Sequence, residues 1–349
     1  MSYTNGLDNP ELYFQAKIYT GNGGTQSITL DGSENMQPDW VWIKCRSAVE
    51  GHSLFDSVRG VQKSINSDTT STEAASSNYL TAFGTDGFSV GSSGLVNANS
   101  ETYVSWNWKA GGSASSNSDG SITSSVSANT TTGFSIVSWT GTGSATTLGH
   151  SLGAIPKWYL VKNRSTGSTS WRTYHTSIGA TKFMALEENY AEASASSVFN
   201  NTEPTSSVFS VGTDTGANNS GDSLIAYVFA EKKGYSKFGS YTGNGNADGT
   251  FVYTGFKPAW IVLKNVSNAQ NWYMYDNKRS DFNLSNDHIY ADLNNAETAD
   301  SSHGIDILSN GFKIRTSNDG WNGSGENYIF MAFAESPFVT STGIPTTAR

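Results

Sequence analysis

The sequence has almost no cysteine. Cys45 is the single thiol among 349 residues, so no disulfide can form within the chain and its stability must come from packing or assembly. Cys45 ends an apolar segment that begins at Trp40. Because a free cysteine in such a segment is usually buried, we expect Cys45 to lie in a core strand and not to carry reactive chemistry.

Basic charge is also scarce, since 21 Lys and Arg residues oppose 30 Asp and Glu residues and leave a net charge of −9. This charge opposes binding to nucleic acid, which we do not expect as a partner, and to anionic lipid. No stretch approaches the ~20 apolar residues of a membrane span, and residues 1–10 lack the pattern of a signal peptide. We therefore expect no membrane insertion, and a protein that acts outside a cell would be released by lysis or carried in a particle.

Aromatic residues and turn formers are abundant instead. Aromatic residues make up 12% of the chain and there are 36 glycines, whereas charged residues reach only 15%. Helical proteins are rich in Ala, Leu, Glu and Lys, while aromatic and β-branched residues separated by Gly, Ser, Thr and Asn are typical of short strands and turns. The composition therefore predicts an all-β fold.

Five short sequence elements recur three times in the same order. The second of them is Pro-x-Trp followed by Lys four residues after the Trp. The copies of the five elements lie at 17–23, 137–143 and 239–245; at 38–44, 156–162 and 258–264; at 55–57, 174–176 and 275–277; at 87–90, 208–211 and 311–314; and at 103–108, 224–229 and 328–333. Short strands between polar turns favour tandem antiparallel β-sandwich modules of jelly-roll type, present as three internal repeats.

These repeats set the predicted domain boundaries. The Gly/Ser/Thr composition of 111–133 indicates a flexible or edge-running linker, while the second and third units adjoin directly and should hold a stiffer mutual orientation. The predicted parts are an N-terminal docking segment at 1–13, sandwich units at 14–110, 134–234 and 235–338, the linker at 111–133, and a C-terminal tail at 339–349. The polar stretches 66–77 and 187–197 should form a short helix or a long loop.

Two serines match the G-x-S-x-G pattern of a hydrolase nucleophile, Ser89 and Ser151. That pattern requires a strand before the serine and a helix after it, and Pro156 with the repeated strand leaves no room for a helix after Ser151. The five histidines show no paired spacing and there is no cysteine cluster, so we expect neither a metal site nor another cofactor. No catalytic residue is predicted.

One acid precedes the last strand of each unit, and each unit also has one lysine at the end of its Pro-x-Trp strand. A residue present in every copy is more typical of a fold than of a unique active site, so we expect these acids to pair with strands or turns. The lysines should be their partners or should face solvent. The acids are Glu101, Asp222 and Glu326, and the lysines are Lys44, Lys162 and Lys264.

Other aromatic residues stand outside the shared strand pattern and are candidates for ligand contact. Sugars bind aromatic platforms that polar side chains flank, because their CH faces stack on rings while their hydroxyls need donors and acceptors. The alternative is that these rings fill gaps between domains or subunits. The candidates are Trp171 with Arg172, Trp272 with Tyr273, and Trp321 with Asn322.

A set of segments distributed over the whole chain carries a family resemblance. The segments lie at 8–10 with 13–14 and 19–21, at 55–60, at 103–112, at 161–165, at 234–239, at 275–279, and at 332–335 with 337–338. With these segments the chain resembles a family of repeat-containing virion proteins of marine bacteriophages, including cyanophages. Each segment is weak alone, and they are specific as a set.

The resemblance implies a non-enzymatic structural component of the virion, of fibre, spike or decoration type, with sandwich modules similar to concanavalin-like lectins. It implies other virion proteins as partners, a homo-oligomer that is trimeric by analogy, and contact with a glycan or protein of the host surface. It assigns no catalytic or ligand residues. Two alternatives stay open at this point: a carbohydrate-binding, lectin-like module and a polysaccharide depolymerase.

Overall fold

The computed structural model describes residues 6–280 and 282–348. Strands account for 42% of it and helices for 6%, so the all-β prediction is confirmed. Each of the three predicted units contains an antiparallel sheet that lies toward the middle of the molecule, called the inner sheet here, and a smaller outer sheet.

In the first unit the inner sheet has the order β1-β9-β3-β4 and the outer sheet the order β2-β8-β7. Strands β5 and β6 form a separate short pair. The elements are a 3-10 turn at Pro10–Leu12, β1 (Phe14–Thr20), β2 (Gln26–Ile28), β3 (Trp40–Cys45), β4 (Ser53–Asp56), β5 (Lys63–Ser64), β6 (Ala74–Ala75), β7 (Leu80–Gly84), β8 (Gly87–Val90), α1 (Gly94–Asn97) and β9 (Thr102–Trp108).

In the second unit the inner sheet has the order β10-β11-β12-β19-β14-β15 and the outer sheet pairs β13 with β18. Strands β16 and β17 form the short pair. The elements are β10 (Ser115–Asn117), β11 (Ser124–Asn129), β12 (Phe134–Thr140), β13 (Thr146–Gly149), β14 (Pro156–Asn163), β15 (Arg172–His175), β16 (Lys182–Phe183), β17 (Ala193–Ser194), α2 (Ser196–Phe199), β18 (Val208–Val211), α3 (Thr215–Asn218) and β19 (Ser223–Ala230).

In the third unit the inner sheet has the order β20-β28-β22-β23-β24-β25 and the outer sheet the order β21-β27-β26. The elements are β20 (Ser236–Thr242), β21 (Phe251–Tyr253), β22 (Phe256–Asn265), β23 (Trp272–Asp276), β24 (Asp287–Tyr290), β25 (Thr298–Ala299), a 3-10 turn at Ser301–His303, β26 (Ile305–Leu308), β27 (Gly311–Ile314), α4 (Asp319–Asn322) and β28 (Asn327–Pro337).

The register of the inner sheets shows which residues correspond between units. The tryptophan of each Pro-x-Trp element pairs on one side with the last strand of its unit and on the other side with the next strand along the chain. These pairings are Trp108–Trp40–Asp56, Phe229–Trp158–His175 and Phe333–Trp260–Asp276. Residues at equal distances from these positions are therefore equivalent between the units.

The segment predicted as the linker, 111–133, contains strands β10 and β11. Strand β11 pairs with β12 over residues 125–129, and Val126 packs in the outer core of the second unit. Of the two predicted alternatives, the structure rules out the flexible linker and agrees with the edge-running one: the segment extends the second inner sheet at its edge, because it satisfies the hydrogen bonds that β12 would otherwise leave open.

The segment predicted for docking, 1–13, also packs on the fold as far as it is described. Leu7 is buried in the central core, and the ring of Tyr13 meets that of Tyr235 edge to face at 6.3 Å. Asp8 accepts a hydrogen bond from Ser341 of the C-terminal tail. Residues 6–13 are therefore held on the fold, residues 1–5 lie outside the described part, and docking through 1–13 stays a prediction.

The inner sheets enclose one core that all three units share. Trp40, Trp158 and Trp260 lie in it together, and Trp260 approaches both Trp108 of the first unit at 5.3 Å and Trp158 of the second at 6.4 Å. Three further cores lie between the inner and outer sheets, one in each unit, and Cys45 is buried in the first, as expected. Because the inner strands are covered on both faces, they are apolar on both alternating sides.

Candidate functional site

The structure buries the aromatic residues predicted to bind a ligand. Trp171 and Trp272 have no exposed surface, and their position corresponds to that of His52 in the first unit. The indole N–H of Trp171 donates to the Asn66 carbonyl at 2.9 Å, and that of Trp272 donates to the Glu188 carbonyl at 3.2 Å. Both bonds cross between units, so these rings fill gaps between units, which is the alternative that the sequence left open.

The remaining candidates are also engaged within the fold. The guanidinium of Arg172 forms two bonds to Asp214, at 2.8 and 2.9 Å. Trp321 is buried against the ring of Tyr273, at 3.7 Å between centroids, and donates to the Tyr275 hydroxyl. A ring without an exposed face offers no platform to a sugar, so the prediction of a platform is wrong for Trp171, Trp272 and Trp321.

Asn322 has a structural role that its equivalents share. Its side chain accepts a bond from the backbone N–H of Asn244 at 2.9 Å and donates to the Thr316 carbonyl at 2.9 Å. Asn97 and Asn218 hold the corresponding Gly-rich turns of the first and second units in the same way. The amide of Asn322 therefore fixes a turn, and its prediction as a ligand residue is corrected.

The catalytic patterns of the sequence do not form catalytic geometry. Ser89 lies within strand β8, opposite Ser27, and Ser151 accepts a bond from Asn117. His150, beside Ser151 in the chain, accepts from the backbone N–H of Leu152 and faces the Thr205 carbonyl. Its imidazole is thereby committed to the backbone and does not serve Ser151 as a base.

The three recurrent acids pair with turns and strand ends, as expected. Ser47 donates to Glu101, Asn163 donates to Asp222 at 2.7 Å, and Asn265 donates to Glu326. The recurrent lysines are not their partners, which corrects that part of the prediction. Each is buried and donates to backbone carbonyls, and one of these carbonyls belongs to another unit: Lys44 to Asn294, Lys162 to Thr69, and Lys264 to Asn189.

These cross-unit bonds belong to three arms, each of which extends from one unit onto the next. Arm 1 comprises residues 66–77, arm 2 residues 187–197 and arm 3 residues 290–299. Each arm carries a glutamate whose backbone N–H donates to a carbonyl of the next unit. The bonds run from Glu73 to Arg164 at 3.0 Å, from Glu192 to Val266 at 3.2 Å and from Glu297 to Arg46 at 2.8 Å. Since arm 3 reaches the first unit, the three units form a closed ring.

The junction between the first and second units is bridged by arginines. The carboxylate of Glu73 accepts two bonds from Arg164, both at 2.9 Å, and one from Arg59 at 3.2 Å. Arg59 is buried and also pairs with Asp56, which accepts a bond from the Tyr227 hydroxyl at 2.7 Å. Burial raises the pKa of Glu73, but the bonds from Arg164 and the charge of Arg59 outweigh it and lower the pKa overall.

The junction between the third and first units repeats this arrangement. Glu297 accepts two bonds from Arg46, at 3.0 and 2.7 Å, and one from Arg279 at 3.0 Å. Arg279 is buried and pairs with Asp276 at 2.6 Å. Asp276 accepts a bond from the indole N–H of Trp106 at 2.9 Å, so this network also connects two units.

The junction between the second and third units lacks both arginines. Ile178 stands at the position of Arg59 and Arg279, and Val266 at the position of Arg46 and Arg164. The buried acid is replaced as well, because His175 occupies the place of Asp276. Burial lowers the pKa of His175 to about 4, so the ring is neutral at pH 7.

A cleft of about 600 Å³ opens at this junction, and we call it the junction cleft. Glu192 and Lys182 lie in it and form an ion pair in which both side chains are partly exposed. Polar groups of both units line the rest of the cleft. Ile178 and Val266, which stand where the other two junctions have arginines, line it as well. Its lining residues include Ile178, Lys182, Glu192, Ser240, Val266 and Asn327.

The arginine networks at the junctions were not predicted from the sequence, although a sequence motif indicates them. Asp-x-x-Arg occurs in the first and third units at 56–59 and 276–279, whereas the second unit has His-x-x-Ile at 175–178. A motif that two copies keep and one copy loses marks a position where that copy differs in function or environment. In this chain it identifies the junction cleft.

Within the described residues no group of three or more His, Cys, Asp or Glu side chains could hold a metal ion. None of the helices in the described part of the chain has the length and apolar character to cross a bilayer.

The model of a family described as a domain of unknown function, DUF7483, matches residues 9–337. No curated protein and no solved structure matches the chain.

Proposed function

We propose that this chain, which belongs to the DUF7483 family of domains of unknown function, is a non-enzymatic structural protein of a bacteriophage particle. In this proposal it is a fibre, spike or decoration protein that projects from the particle, binds other virion proteins and contacts the host surface. The resemblance of its sequence segments to marine phage virion proteins supports the origin. The closed ring supports the structural role.

The observation that carries the proposal is ring closure within one chain. Arm 3 returns to the first unit through the bond from Glu297 to the Arg46 carbonyl and the arginine bridges beside it. Each unit is therefore held by both of its neighbours as well as by the shared core. Such a body can stay rigid outside a cell without a disulfide, which a projecting particle protein requires.

The kind of charge pairing also suits an exposed particle. The pairs Asp56–Arg59 and Asp276–Arg279 are fully buried, so salt in the medium screens them far less than exposed pairs. The carboxylates of these pairs accept bonds from Tyr227 and Trp106 across the junctions, so these buried contacts between units should persist at high ionic strength. This is the property expected of a protein that works in seawater.

The two alternative functions have less support. A lectin-like module was suggested by aromatic side chains that are buried, and the structure offers no ring among them for a sugar to stack on. A depolymerase needs two carboxylates on opposite sides of one sugar. Glu101, Asp222 and Glu326 occupy equivalent sites in three different units, and each is hydrogen-bonded within its own unit.

Localisation on a purified particle tests the proposal. Phage particles that encode this chain would be purified by density gradient, analysed by mass spectrometry and labelled with gold-coupled antibody to the folded chain. We expect a fixed number of copies per particle and labels at an external position. Absence of the chain from particles that are otherwise complete would contradict the proposal.

A deletion tests the docking role proposed for the N-terminal segment. Because Leu7 is in the core, the deletion should stop at residue 5. We expect the shortened chain to fold and to be absent from particles, with a deletion of residues 346–349 at the other terminus as the control. Incorporation of the shortened chain at the normal level would refute docking through residues 1–5.

A further inference from the structure

The glutamates of the three arms, Glu73, Glu192 and Glu297, can be compared within one molecule. Glu73 and Glu297 each bind two guanidinium groups, one of them through two parallel bonds. This paired geometry matches the planar fork of arginine to the two oxygens of a carboxylate and is among the stronger charge-assisted arrangements in proteins. Two of the three equivalent sites thus hold arginine from the chain itself.

Glu192 has the same backbone position without these arginines. Its N–H bonds to the Val266 carbonyl as Glu73 bonds to that of Arg164, so the carboxylate starts from an equivalent place. Among the described residues its one cationic side-chain partner is Lys182, and that pair is partly open to solvent. An ammonium group binds as a point charge and leaves the two-oxygen face of a carboxylate unmatched.

The space that the arginines would occupy is open. The junction cleft has a volume of about 600 Å³, within the range of small-ligand sites. Ile178 and Val266 stand where the stems of the two arginines begin in the other units, and they give the cleft an apolar wall. Ser240 and Asn327 provide oxygen atoms that can accept further N–H bonds.

We propose that the junction cleft binds the guanidinium group of an arginine side chain that a partner polypeptide supplies. The carboxylate of Glu192 receives the guanidinium as Glu73 and Glu297 receive theirs, and the apolar wall covers the methylene stem. An anionic ligand would be repelled by Glu192, and a lysine would duplicate the contact that Lys182 already makes. The proposal does not depend on the particle role, because it follows from the comparison of the three junctions.

Titration of the full chain with N-acetyl-arginine amide, followed by NMR or calorimetry, tests the proposal. We expect saturable binding to the unaltered protein and weaker binding of N-acetyl-lysine amide. Glu192→Gln keeps the shape of the site and should lower the affinity about tenfold or more, since it removes the charge. Glu231→Gln is the matched control, because Glu231 also forms a partly exposed pair with a lysine, Lys237; it should bind like the unaltered protein.

Two further variants separate binding from a general effect on folding. Lys182→Met frees the carboxylate of Glu192 and should raise the affinity severalfold. Val266→Arg supplies the arginine that the other junctions have, so it should abolish binding and raise the melting temperature. The Glu192 and Lys182 variants keep the test decisive even if Val266→Arg fails to fold.

Three outcomes would overturn the proposal. The first is absence of saturable arginine binding to the unaltered chain. The second is arginine binding that Glu192→Gln and Lys182→Met leave unchanged. The third is a neutral sugar that shifts the resonances of the cleft residues while the arginine amide does not, which would identify the cleft as a carbohydrate site instead.

Discussion

At the scale of the residue, buried charge is used to join units. Asp276 is fully buried, and burial alone would raise its pKa, but the adjacent Arg279 lowers the pKa overall and keeps the carboxylate ionised. The same carboxylate accepts the indole N–H of Trp106 from another unit. A buried ion pair is costly to desolvate, and its defined geometry fixes which surfaces meet.

Removal of one partner from such a pair should be strongly destabilising. Arg279→Ile leaves Asp276 buried without its cation, and we expect the free energy of unfolding to fall by about 3–5 kcal/mol in urea titrations. The double variant Asp276→His with Arg279→Ile reproduces the residues found at 175 and 178, so it should recover most of the loss. A double variant as unstable as the single one would contradict this account. Lys237→Met, at the partly exposed pair with Glu231, should change stability by less than about 1 kcal/mol.

The buried lysines should make stability depend on alkaline pH. Burial lowers the pKa of Lys44, Lys162 and Lys264 to about 8, whereas a lysine in the unfolded chain titrates near 10.4. Between about pH 8 and 10 the unfolded state therefore binds more protons, and the free energy of unfolding should rise with pH by up to ~1.4 kcal/mol per unit for each lysine. Buried tyrosines have raised pKa values and oppose this rise only above about pH 10.

The variant Lys264→Met tests the origin of that dependence. It removes one of the three groups, so the slope of unfolding free energy against pH between 8 and 9.5 should fall by about a third. Lys237→Met, at a partly exposed lysine, is the control and should leave the slope unchanged. Equal slopes for Lys264→Met and the unaltered protein would show that burial does not perturb this lysine.

At the scale of the element, β10 and β11 show how a segment of turn-forming residues becomes a strand when it pairs with the open edge of β12. Val126 points into the outer core, its neighbour Ser125 is exposed and Ser127 is buried, so the strand is covered on one face and partly covered on the other. The pairing of β11 with β12 predicts slow exchange of the amides in β11 that face β12. Hydrogen exchange followed by mass spectrometry measures this, with the exposed residues Thr347 and Ala348 of the C-terminal tail as the fast reference. If the amides of β11 exchange as fast as those of the tail, the segment 111–133 is a flexible linker and the pairing of β11 with β12 is wrong.

The sequence predicted elements well where local pattern and tertiary environment agree. The Pro-x-Trp elements became β3, β14 and β22, and these strands are buried on both faces. It failed for β10 and β11, because Ser, Thr, Gly and Asn favour turns and only the open edge of β12 makes a strand favourable there.

The contacts at the junctions could not be predicted from local sequence pattern for a related reason. The residues that meet at a junction come from two units, so their contact depends on closure of the ring. Asp56 and Arg59 lie three residues apart and could be paired from the sequence, whereas the contacts to Tyr227 and Arg164 span more than 90 positions. Likewise Trp171 and Trp272 stand outside the sequence repeat, because the residue that the structure makes equivalent in the first unit is His52.

At the scale of the whole molecule, the layered core explains how a chain of 349 residues forms one body. Single cores rarely grow beyond ~250–300 residues, and longer chains usually divide into independent domains. Here the inner sheets are shared between three outer cores and one central core. A single unit taken from the ring would expose the face of its inner sheet that belongs to the central core.

Calorimetry of the full chain distinguishes one body with a shared core from three independent domains. Because the units share a core and three junctions, we expect one thermal transition whose calorimetric and van't Hoff enthalpies agree, and no folded state for the isolated fragment 134–234. Two or three separate transitions, together with a fragment that folds alone, would contradict it.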